Sequence, residues 1–447
     1  MSPMLKRLAP TAFVWTACIA LASCSASGPP PARTARPAQK PSSTQRAPSA
    51  QTTQWLGTWA ASQQIPEPDN ALPASELTHA TLRQIVHLTV GGKTLRIRFS
   101  NQFGNSALRI VAADIARPVS LTTGAIDQST VKPLTFNGRP GVTIPPGASY
   151  YSDPVSFPAA PLSNLAVTIY LRKPPKGETS HPGSRETSFL VHGNHIGATK
   201  LPHAMRFNHW FFLSGVDVRT HGPAAAIVAL GDSITDGHAT PNNSNTRWPD
   251  DLARRLQADS ATRNISVLNA GLGGNRLLRY GLGPDALARF DRDVLGQPGV
   301  RYLIVIEGVN DLGVATMHRP LSAAQNATLI HNMIGAYRQI ILQAREHHIK
   351  VIGGTITPFK GSNYYHPSAA TLQDRREIND WIRAPGHFDA VIHFAHAVRD
   401  PKHPQRLRPM FDSGDNLHPN PAGYEAMADA IPLSLFKRST GPSGAGR

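Results

Sequence analysis

Between residues 55 and 222 the hydrophobic residues occur in short runs that Pro and Gly interrupt. Residues 82–90 alternate apolar and polar side chains, residues 95–99 alternate again, and Gly91 and Gly92 lie between the two runs. Alternation with a period of two is typical of β-strands, and a Gly-Gly pair between two such runs predicts a β-hairpin. Further strands are predicted over residues 109–113, 142–144 and 165–171. Short strands at this spacing, without helical periodicity, predict a β-sandwich-like domain for residues 55–222.

From Pro223 onward, apolar runs alternate with amphipathic stretches. The apolar runs predict strands over residues 224–230, 265–269, 302–307, 350–355 and 390–394. The amphipathic stretches predict helices over residues 249–258, 285–295, 321–347, 369–383 and 421–436. Five strands that alternate with helices predict an α/β fold, a doubly wound parallel five-stranded sheet sandwiched by helices. We assign this fold to residues 223–437, and residues 438–447 are predicted to be a disordered tail.

The first residues have the pattern of an export signal. Lys6 and Arg7 precede a mostly apolar run over residues 8–22, which is short for a membrane-spanning helix and typical of a signal peptide. The run ends in the sequence LASC, which resembles the bacterial lipobox, a motif in which the signal is cut before a cysteine that then carries lipid. The preferred interpretation is a lipoprotein signal peptide over residues 1–24 with Cys24 as the lipidation site. An ordinary signal peptide that is cut nearby is the alternative.

Residues 25–54 contain six prolines and four basic residues and have no acidic residue. A segment of this composition buries too little apolar surface to offset its ordering entropy, so we expect a disordered linker. The predicted location is the bacterial cell envelope, where the lipid would be the only membrane attachment, at the outer membrane if the source has one. Without lipidation the protein would be secreted.

The composition narrows the range of partners. The chain has 45 Lys and Arg against 29 Asp and Glu, a net charge of +16, but the basic residues are scattered. No basic run is interleaved with aromatic residues, so nucleic acid is not an expected partner. An anionic envelope surface or an acidic polysaccharide explains the charge better. No obligate protein partner is predicted, and with only Cys18 and Cys24 the mature chain would form no internal disulfide.

The heptad GDSITDG, residues 231–237, follows the first strand of the predicted α/β domain. It places Ser233 at the carboxyl end of that strand, where open α/β sheets carry their active sites. A serine hydroxyl is a weak nucleophile unless a base accepts its proton and donors stabilise the oxyanion. The heptad alone also fits a plain strand-to-helix turn in which Asp and Ser serve as caps.

Three further stretches lie beside predicted strand ends or helix starts. The loop NAGLGGN, residues 269–275, has glycines that leave backbone N–H groups accessible to an oxyanion. The stretch EGVND brings the amide of Asn310 to the same sheet edge, and DSGDNLHP places Asp415 three residues before His418. Each stretch alone fits an ordinary polar loop. Their convergence on one edge predicts an active site.

In order and composition, these four stretches resemble the conserved blocks of the SGNH/GDSL hydrolase superfamily. The resemblance implies that Ser233 is the nucleophile, His418 the general base and Asp415 the acid that orients the imidazole. It implies an oxyanion hole made by the backbone N–H groups of Ser233 and Gly271 and the side-chain amide of Asn310. The reaction would pass through an acyl-enzyme, with no metal or organic cofactor.

The predicted β domain resembles, less specifically, the amino-terminal domain of a bacterial xylan-esterase-like branch of the superfamily. The stretch HFA, residues 393–395, departs from that branch, where an acidic residue is expected. The departure bears on local packing, because it lies outside the four blocks.

Two sets of residues in the predicted β domain have alternative interpretations. Its histidines have no spacing typical of metal ligands, so packed or surface roles are expected for His79, His87, His181, His192 and His195. Trp55, Trp59 and Trp210 could stack on sugar rings, but a core or domain-interface role is preferred.

The function implied by the resemblance is that of a serine esterase. The substrate expected first is a short acyl group, such as acetyl, on carbohydrate. A lipase or phospholipase is the alternative among enzymes. The alternative that is not an enzyme is a catalytically silent lipoprotein that binds carbohydrate.

Overall fold

The computed structural model describes residues 53–437. The predicted signal peptide, the proposed lipidation site Cys24, all but the last two residues of the linker and the carboxy-terminal tail lie outside the described residues. Within the described range, no helix is both long and apolar enough to cross a membrane.

Residues 53–222, here called the β region, form antiparallel sheets. Its strands are β1 Thr53–Ala60, β2 Ala80–Leu88, β3 Gly92–Ser100, β4 Leu108–Ala116, β5 Lys132–Pro133, β6 Val142–Ile144, β7 Ser149–Tyr151, β8 Val155–Ala159, β9 Ser163–Leu171, β10 Ser180–His181, β11 Ser188–His192, β12 Met205–Phe207, β13 Trp210–Phe211 and β14 Leu213–His221. One sheet has the order β1-β14-β3-β7, with β8 also paired to β3. A second has the order β12-β11-β2-β9-β4-β5, with β6 paired to β4, and β10 pairs with β13 alone.

The predicted hairpin around Gly91 and Gly92 is wrong. Strand β2 pairs with β9 and β11 in the second sheet, whereas β3 pairs with β14, β7 and β8 in the first. Neither glycine has the positive φ that a tight hairpin turn requires. A Cβ at position 91 would lie 2.4 Å from the carbonyl oxygen of Ala159, so Gly91 is needed for a close backbone approach. The Gly-Gly pair therefore carries the chain from one sheet to the other.

The second sheet is buried on both faces. Leu82 and Val86 of β2 belong to the main hydrophobic core, and Ile85 of the same strand belongs to a separate small cluster with Phe189 and Leu201. Side chains alternate faces along a strand, so these two sets lie on opposite sides of the sheet. This double burial explains why β2 contains few exposed residues despite its alternating sequence.

Residues 223–437, here called the α/β region, alternate strands and helices. The elements are β15 Ala225–Gly231, α1 Ser233–Asp236, α2 Trp248–Ala258, β16 Ile265–Gly271, β17 Val300–Ile306, α3 Val309–Thr316, α4 Ala323–Glu346, β18 Lys350–Gly354, α5 Ala369–Arg383, β19 Ala390–Ile392, α6 Phe394–Val398 and α7 Pro421–Asp429. The five strands are parallel in the order β16-β15-β17-β18-β19. The order reverses beside β15, which places the end of β15 at the switch point where such sheets bind ligands.

Several predicted boundaries are corrected by capping and helix-breaking residues. Helix α4 begins at Ala323, two residues later than predicted, because Ser322 accepts a hydrogen bond from the Gln325 N–H and forms its N-cap. The last helix ends at Asp429, and Pro432 precedes a short 3-10 turn. In the helix predicted over residues 285–295, residues 286–289 form turns instead, and a π-helical turn covers Asp291–Leu295. The fifth strand ends at Ile392, and His393 occupies the N-cap position of helix α6, which begins at Phe394.

The β region and the α/β region share one hydrophobic core. Leu56 and Trp59 of β1 belong to the same buried cluster as Ile227 of β15 and Leu268 of β16. The Gly57 N–H also donates to the carbonyl oxygen of Pro298 at 3.0 Å. The first sheet of the β region is therefore packed directly on the α/β region.

Candidate active site

Ser233 is the first residue of helix α1, directly after the central strand β15. The Asp232 carboxylate accepts a hydrogen bond from the Ile234 N–H at 2.8 Å and caps this four-residue helix. The helix ends at Asp236, and its C-cap is Gly237, whose φ of 90° lies in the left-handed region. The capping role foreseen for Asp232 is present, and it fixes Ser233 at the strand end.

The structure brings three of the predicted site residues together in a chain of hydrogen bonds. The Ser233 Oγ lies 2.8 Å from His418 Nε2, although 185 residues separate them. The His418 Nδ1 lies 2.6 Å from Asp415 Oδ2. With its proton on Nδ1, the imidazole donates to Asp415 and leaves Nε2 free to accept the Ser233 proton. This is the geometry that nucleophilic catalysis by serine requires.

Asp415 is held as a charged group. Burial by itself would raise the pKa of its carboxyl. Hydrogen bonds from the His418 ring and from the backbone N–H groups of His418 and Leu417 outweigh burial and hold that pKa well below its usual range. A permanent negative charge at Nδ1 favours the imidazolium that forms when His418 takes a proton.

Two aromatic rings hold the His418 imidazole in place. The His238 ring lies with its centroid 4.0 Å from that of His418, and the Tyr364 ring meets His418 edge-on at 5.8 Å. Burial, with the repulsion of His418 and Arg185, lowers the pKa of His238 to about 4. His238 is therefore a neutral packing partner near neutral pH. The sequence signal for it was its position directly after the heptad.

The three predicted oxyanion donors lie in different environments. The backbone N–H of Ser233 has no acceptor among the described residues. The Asn310 Nδ2 donates to the carbonyl oxygen of Asn275 at 2.7 Å and keeps a second N–H. The Gly271 N–H, however, donates to Asn269 Oδ1 at 2.8 Å. Gly271 can serve an oxyanion only if the Asn269 side chain releases this bond.

Gly271 also has a steric reason to lack a side chain. A Cβ at this position would lie 2.2 Å from the Asp236 backbone nitrogen. Real Cβ atoms do not approach backbone so closely, and the obstructing group is rigid. The glycine thus allows strand β16 to pack directly against helix α1.

Arg289 organises the floor of the site and was not singled out from the sequence. It is fully buried, and its guanidinium donates to the carbonyl oxygens of Gly231 and Ala270, at the ends of β15 and β16. It also donates to Asn275 Oδ1 and forms an ion pair with Asp293 at 3.1 Å. One side chain therefore joins the ends of two strands to the loop that contains Asn275.

Buried acids support the same floor. Burial, with the repulsion of Asp311, raises the pKa of Asp232 to about 7. Burial likewise raises the pKa of Asp311 to about 6. The hydrogen bonds that its carboxylate accepts from the N–H groups of Leu277 and Leu278 lower this pKa but do not outweigh burial. These carboxyls cap α1 and fix the loop after Asn275, so they position the site instead of reacting.

The β region contributes directly to the nucleophile helix. His181 of β10 is buried, with its Nε2 2.9 Å from Asp236 Oδ1 and its Nδ1 2.7 Å from the carbonyl oxygen of Ser62. Arg185 lies nearby and donates to His238 Nδ1 at 3.2 Å. Packed or surface roles were expected for the β-region histidines, and no spacing in the sequence links His181 to the heptad. Tertiary contacts, one within the β region and one across to helix α1, give His181 its position.

The tryptophans considered for sugar stacking lie mostly in the core. Trp59 and Trp210 are buried, and their rings meet edge-on at 4.9 Å. Trp55 is half-buried, with the guanidiniums of Arg96 and Arg219 at 4.5 and 4.9 Å from its ring. The core interpretation holds for Trp59 and Trp210, which offer no free ring face to a sugar.

One group of residues has the donor types of a metal site. The ligand atoms of His238, Asp415 and His418 lie within 4.8 Å of one another. Both ring nitrogens of His418 already take part in hydrogen bonds, to Ser233 and to Asp415. The donor set fits a hydrogen-bonded triad better than it fits a metal ion.

An open cavity of about 720 Å³ lies next to the loop that follows Asn275 and to helices α3 and α4, and its wall contains none of the predicted catalytic or oxyanion residues. Its wall includes Arg276 and Asp311, the chain neighbours of Asn275 and Asn310, together with Arg279 and Arg319. Apolar residues complete the wall, among them Leu278, Val314 and Leu329. The cavity thus combines positive charge with apolar surface.

The candidate site lies within a stretch of the chain that matches a family model. Residues 229–426 match the model of the GDSL-like Lipase/Acylhydrolase family. A search of curated proteins found no match.

The solved structures that match this chain and are named here each cover less than half of it. A candidate lipolytic protein of the G-D-S-L family from Desulfitobacterium hafniense DCB-2 is 23% identical over 46% of this chain and 97% of its own, with a TM-score of 0.35. A GDSL-like lipase from Bacteroides thetaiotaomicron VPI-5482 is 19% identical over 47% and 88%, with a TM-score of 0.34. An acetyl xylan esterase is 20% identical over 46% and 96%, with a TM-score of 0.35.

Proposed function

Because residues 229–426 belong to the GDSL-like lipase/acylhydrolase family, the chain is a hydrolase of carboxylic esters, and we propose that it removes short acyl groups, chiefly acetyl, from carbohydrate. The observation that carries the catalytic part of the proposal is the hydrogen-bond chain from Ser233 through His418 to Asp415.

The proposed reaction has two halves. His418 takes the Ser233 proton as Oγ attacks the ester carbonyl. The backbone N–H of Ser233 and the side-chain amide of Asn310 stabilise the tetrahedral oxyanion. The intermediate collapses to an acyl-serine while His418 donates its proton to the departing alcohol. Water activated by His418 then attacks the acyl group and releases the acid and free Ser233.

The preference for a carbohydrate substrate rests on the cavity beside Asn310. Its wall carries three guanidiniums, and its polar residues also include Gln325, Thr328 and Asn332. Hydrogen-bond donors in these numbers suit a hydroxyl-rich alcohol better than an alkyl chain, which would leave them unpaired. The apolar part of the same wall is the observation that favours the second candidate, a lipase.

A chain-length series tests the substrate proposal. Turnover of p-nitrophenyl esters should fall steeply from acetate to octanoate, and acetylated xylan should release acetate. Ser233→Ala protein serves as the control, because any residual release would come from another source. Faster turnover of octanoate, or activation at a lipid interface, would replace this proposal with the lipase candidate.

A further inference from the structure

A second charged cavity lies at the other end of the sheet's carboxyl edge. It has a volume of about 580 Å³, and Thr355 and His393, which directly follow β18 and β19, form part of its wall. Strands β17 and β18 separate it from β15, and neighbouring strands lie about 4.8 Å apart. The cavity is therefore separate from the Ser233 site, although it opens on the same edge.

The wall of this cavity is strongly basic. It contains four arginines and two histidines and has no carboxylate among its residues: Arg375, Arg376, Arg383, Arg399, His393 and His396. Asp380 pairs with Arg383 of the wall itself, whereas Asp400 pairs with His403, which is not part of the wall. Arg375, Arg376 and Arg399 have no ion-pair partner in residues 53–437.

Arg375 forms the floor and is almost fully buried, at 5% exposure. Its Nη1 donates to the carbonyl oxygen of Ile356 at 3.1 Å, and its Nε has no acceptor within the described range. Burial, followed by the repulsion of Arg376 and Arg383, lowers the pKa of Arg375 to about 10, so it stays charged near neutral pH. Burying a charged guanidinium whose N–H groups lack acceptors costs free energy, and a bound anion would offset that cost.

We propose that the cavity lined by Arg375, Arg376, Arg383 and Arg399 binds a phosphoryl oxyanion. The planar guanidinium fork matches phosphate oxygens in pairs, and several arginines around one cavity suit a group with more than one negative charge. The volume exceeds that of phosphate alone, so a substituted phosphate, either a soluble phosphate ester or a phospholipid headgroup, fits the space.

The cavity also gives a reason why residues 393–395, HFA, lack the acidic residue that was expected there. An acidic side chain at position 393 would place a negative charge in this wall and neutralise part of it. His393 instead leaves the wall without any carboxylate. The basic character of the cavity is thus continuous across α5, the end of β19 and the loop after α6.

Calorimetric titration of the full chain with inorganic phosphate tests the proposal, at constant ionic strength and pH 7. We expect binding with a Kd of about 1 mM or tighter. Arg399→Gln and Arg376→Gln, on the exposed part of the wall, should each weaken binding at least about fivefold, and Arg375→Lys should do so although it keeps the charge. Arg301→Gln is the matched control, because Arg301 is an exposed arginine near the opposite end of β17.

Two further titrations distinguish a soluble phosphate ester from a phospholipid headgroup as the ligand. Glycerol 1-phosphate tests a soluble ester, and vesicles of phosphatidylglycerol against phosphatidylcholine test a lipid headgroup, each with the same variants. Ester hydrolysis by Arg399→Gln should remain at the wild-type rate. No binding of phosphate at roughly 20 mM, or equal weakening by Arg301→Gln and Arg399→Gln, would overturn the proposal.

Discussion

Ser233 depends on its neighbours for reactivity, because a serine hydroxyl keeps its proton at neutral pH unless a base lies within hydrogen-bond reach. His418 Nε2 is that base by geometry, at 2.8 Å from Oγ. Asp415 acts one step further away, since it touches the imidazole and the backbone N–H groups of its own loop. The three residues are therefore expected to behave as a unit.

Substitutions in this unit should have graded effects. Ser233→Ala and His418→Ala should each lower kcat by roughly 10⁵- to 10⁶-fold, and Asp415→Ala should lower it less, by roughly 10⁴-fold, because the imidazole can still act when poorly oriented. Initial rates with p-nitrophenyl acetate, together with circular dichroism to confirm folding, measure this. Asp412→Ala is the matched control, since its carboxylate accepts two N–H bonds in the same loop without touching His418.

Wild-type turnover by folded Ser233→Ala protein would remove the catalytic assignment altogether. Unfolding of that variant would instead mean that the heptad is mainly structural.

At the scale of elements, helix α1 is too short to hold itself in place. A helix of four residues has almost no intrinsic stability, so its position must come from tertiary contacts. Asp232 caps its start, strand β16 packs against its backbone at Gly271, and His181 of β10 contacts Asp236 near its end. The element that carries the nucleophile is thus fixed by residues from both regions of the chain.

The contact between His181 and Asp236 should couple the β region to catalysis. His181→Ala would leave the buried Asp236 side chain without this hydrogen-bond partner, and an unsatisfied buried polar group typically costs about 1–3 kcal/mol. We expect lower stability in urea and a reduced kcat. The double variant with Asp236→Ala should lose less stability than the sum of the two single variants, with a coupling energy of about 1–3 kcal/mol.

His192→Ala is the control for this cycle, because His192 is a largely exposed histidine of β11. Strictly additive effects of His181→Ala and Asp236→Ala would show that the contact does not contribute to the position of α1.

At the scale of the whole molecule, the interface between the two regions encloses ionisable groups. Glu186 of the β region is buried close to Arg247 of the α/β region, which also donates to the carbonyl oxygen of Ser184. Burial, only partly offset by Arg247, raises the pKa of Glu186 from 4.5 to about 7. Protonation of this group is therefore linked to the folding of both regions together.

The linkage gives a prediction for stability against pH. The folded state holds the Glu186 proton more tightly than the unfolded state, so the stabilisation is complete below about pH 4.5 and is lost as the pH rises through about 7. The loss is on the order of 3 kcal/mol for a shift of this size. Urea unfolding at pH 5.5 and pH 8.5 should show a smaller difference in Glu186→Gln than in wild type.

Glu346→Gln, which changes an exposed glutamate of α4, should leave the pH dependence unchanged. If Glu186→Gln and wild type lose the same stability between the two pH values, Glu186 does not titrate in this range.

The proposed attachment to the envelope concerns a part of the chain outside the described residues. We propose that Cys24 is lipidated, on the basis of the lipobox-like sequence that precedes it. Expressed in bacteria with its own signal, the protein should partition into detergent and incorporate labelled palmitate. Cys24→Ala should abolish both, and Cys18→Ala should abolish neither. A wild-type protein that is unlabelled and remains in the aqueous phase would favour the ordinary signal peptide.

The sequence by itself determined features that depend on local pattern. Hydrophobic periodicity identified the five strands of the α/β sheet and most of its helices, because side-chain spacing follows the geometry of each element. Strand ends also indicated where Ser233 and Asn310 would lie, since the carboxyl ends of parallel strands share one edge, whereas His418 was predicted from its loop before the last helix. Boundaries were missed where a cap or a proline decided them, as at Ser322 and Pro432.

Only the tertiary structure decided what depends on partners distant in the chain. An alternating strand pattern shows that β2 and β3 are strands, but their separate sheets depend on which strands approach each of them. His181 and Arg289 carry no local signal, because their roles arise from groups that folding brings within hydrogen-bond distance. The hydrogen bond from the Gly271 N–H to Asn269 is decided at the same level, and so is the lack of an acceptor for Arg375 Nε within residues 53–437, since burial and pairing are properties of the folded chain.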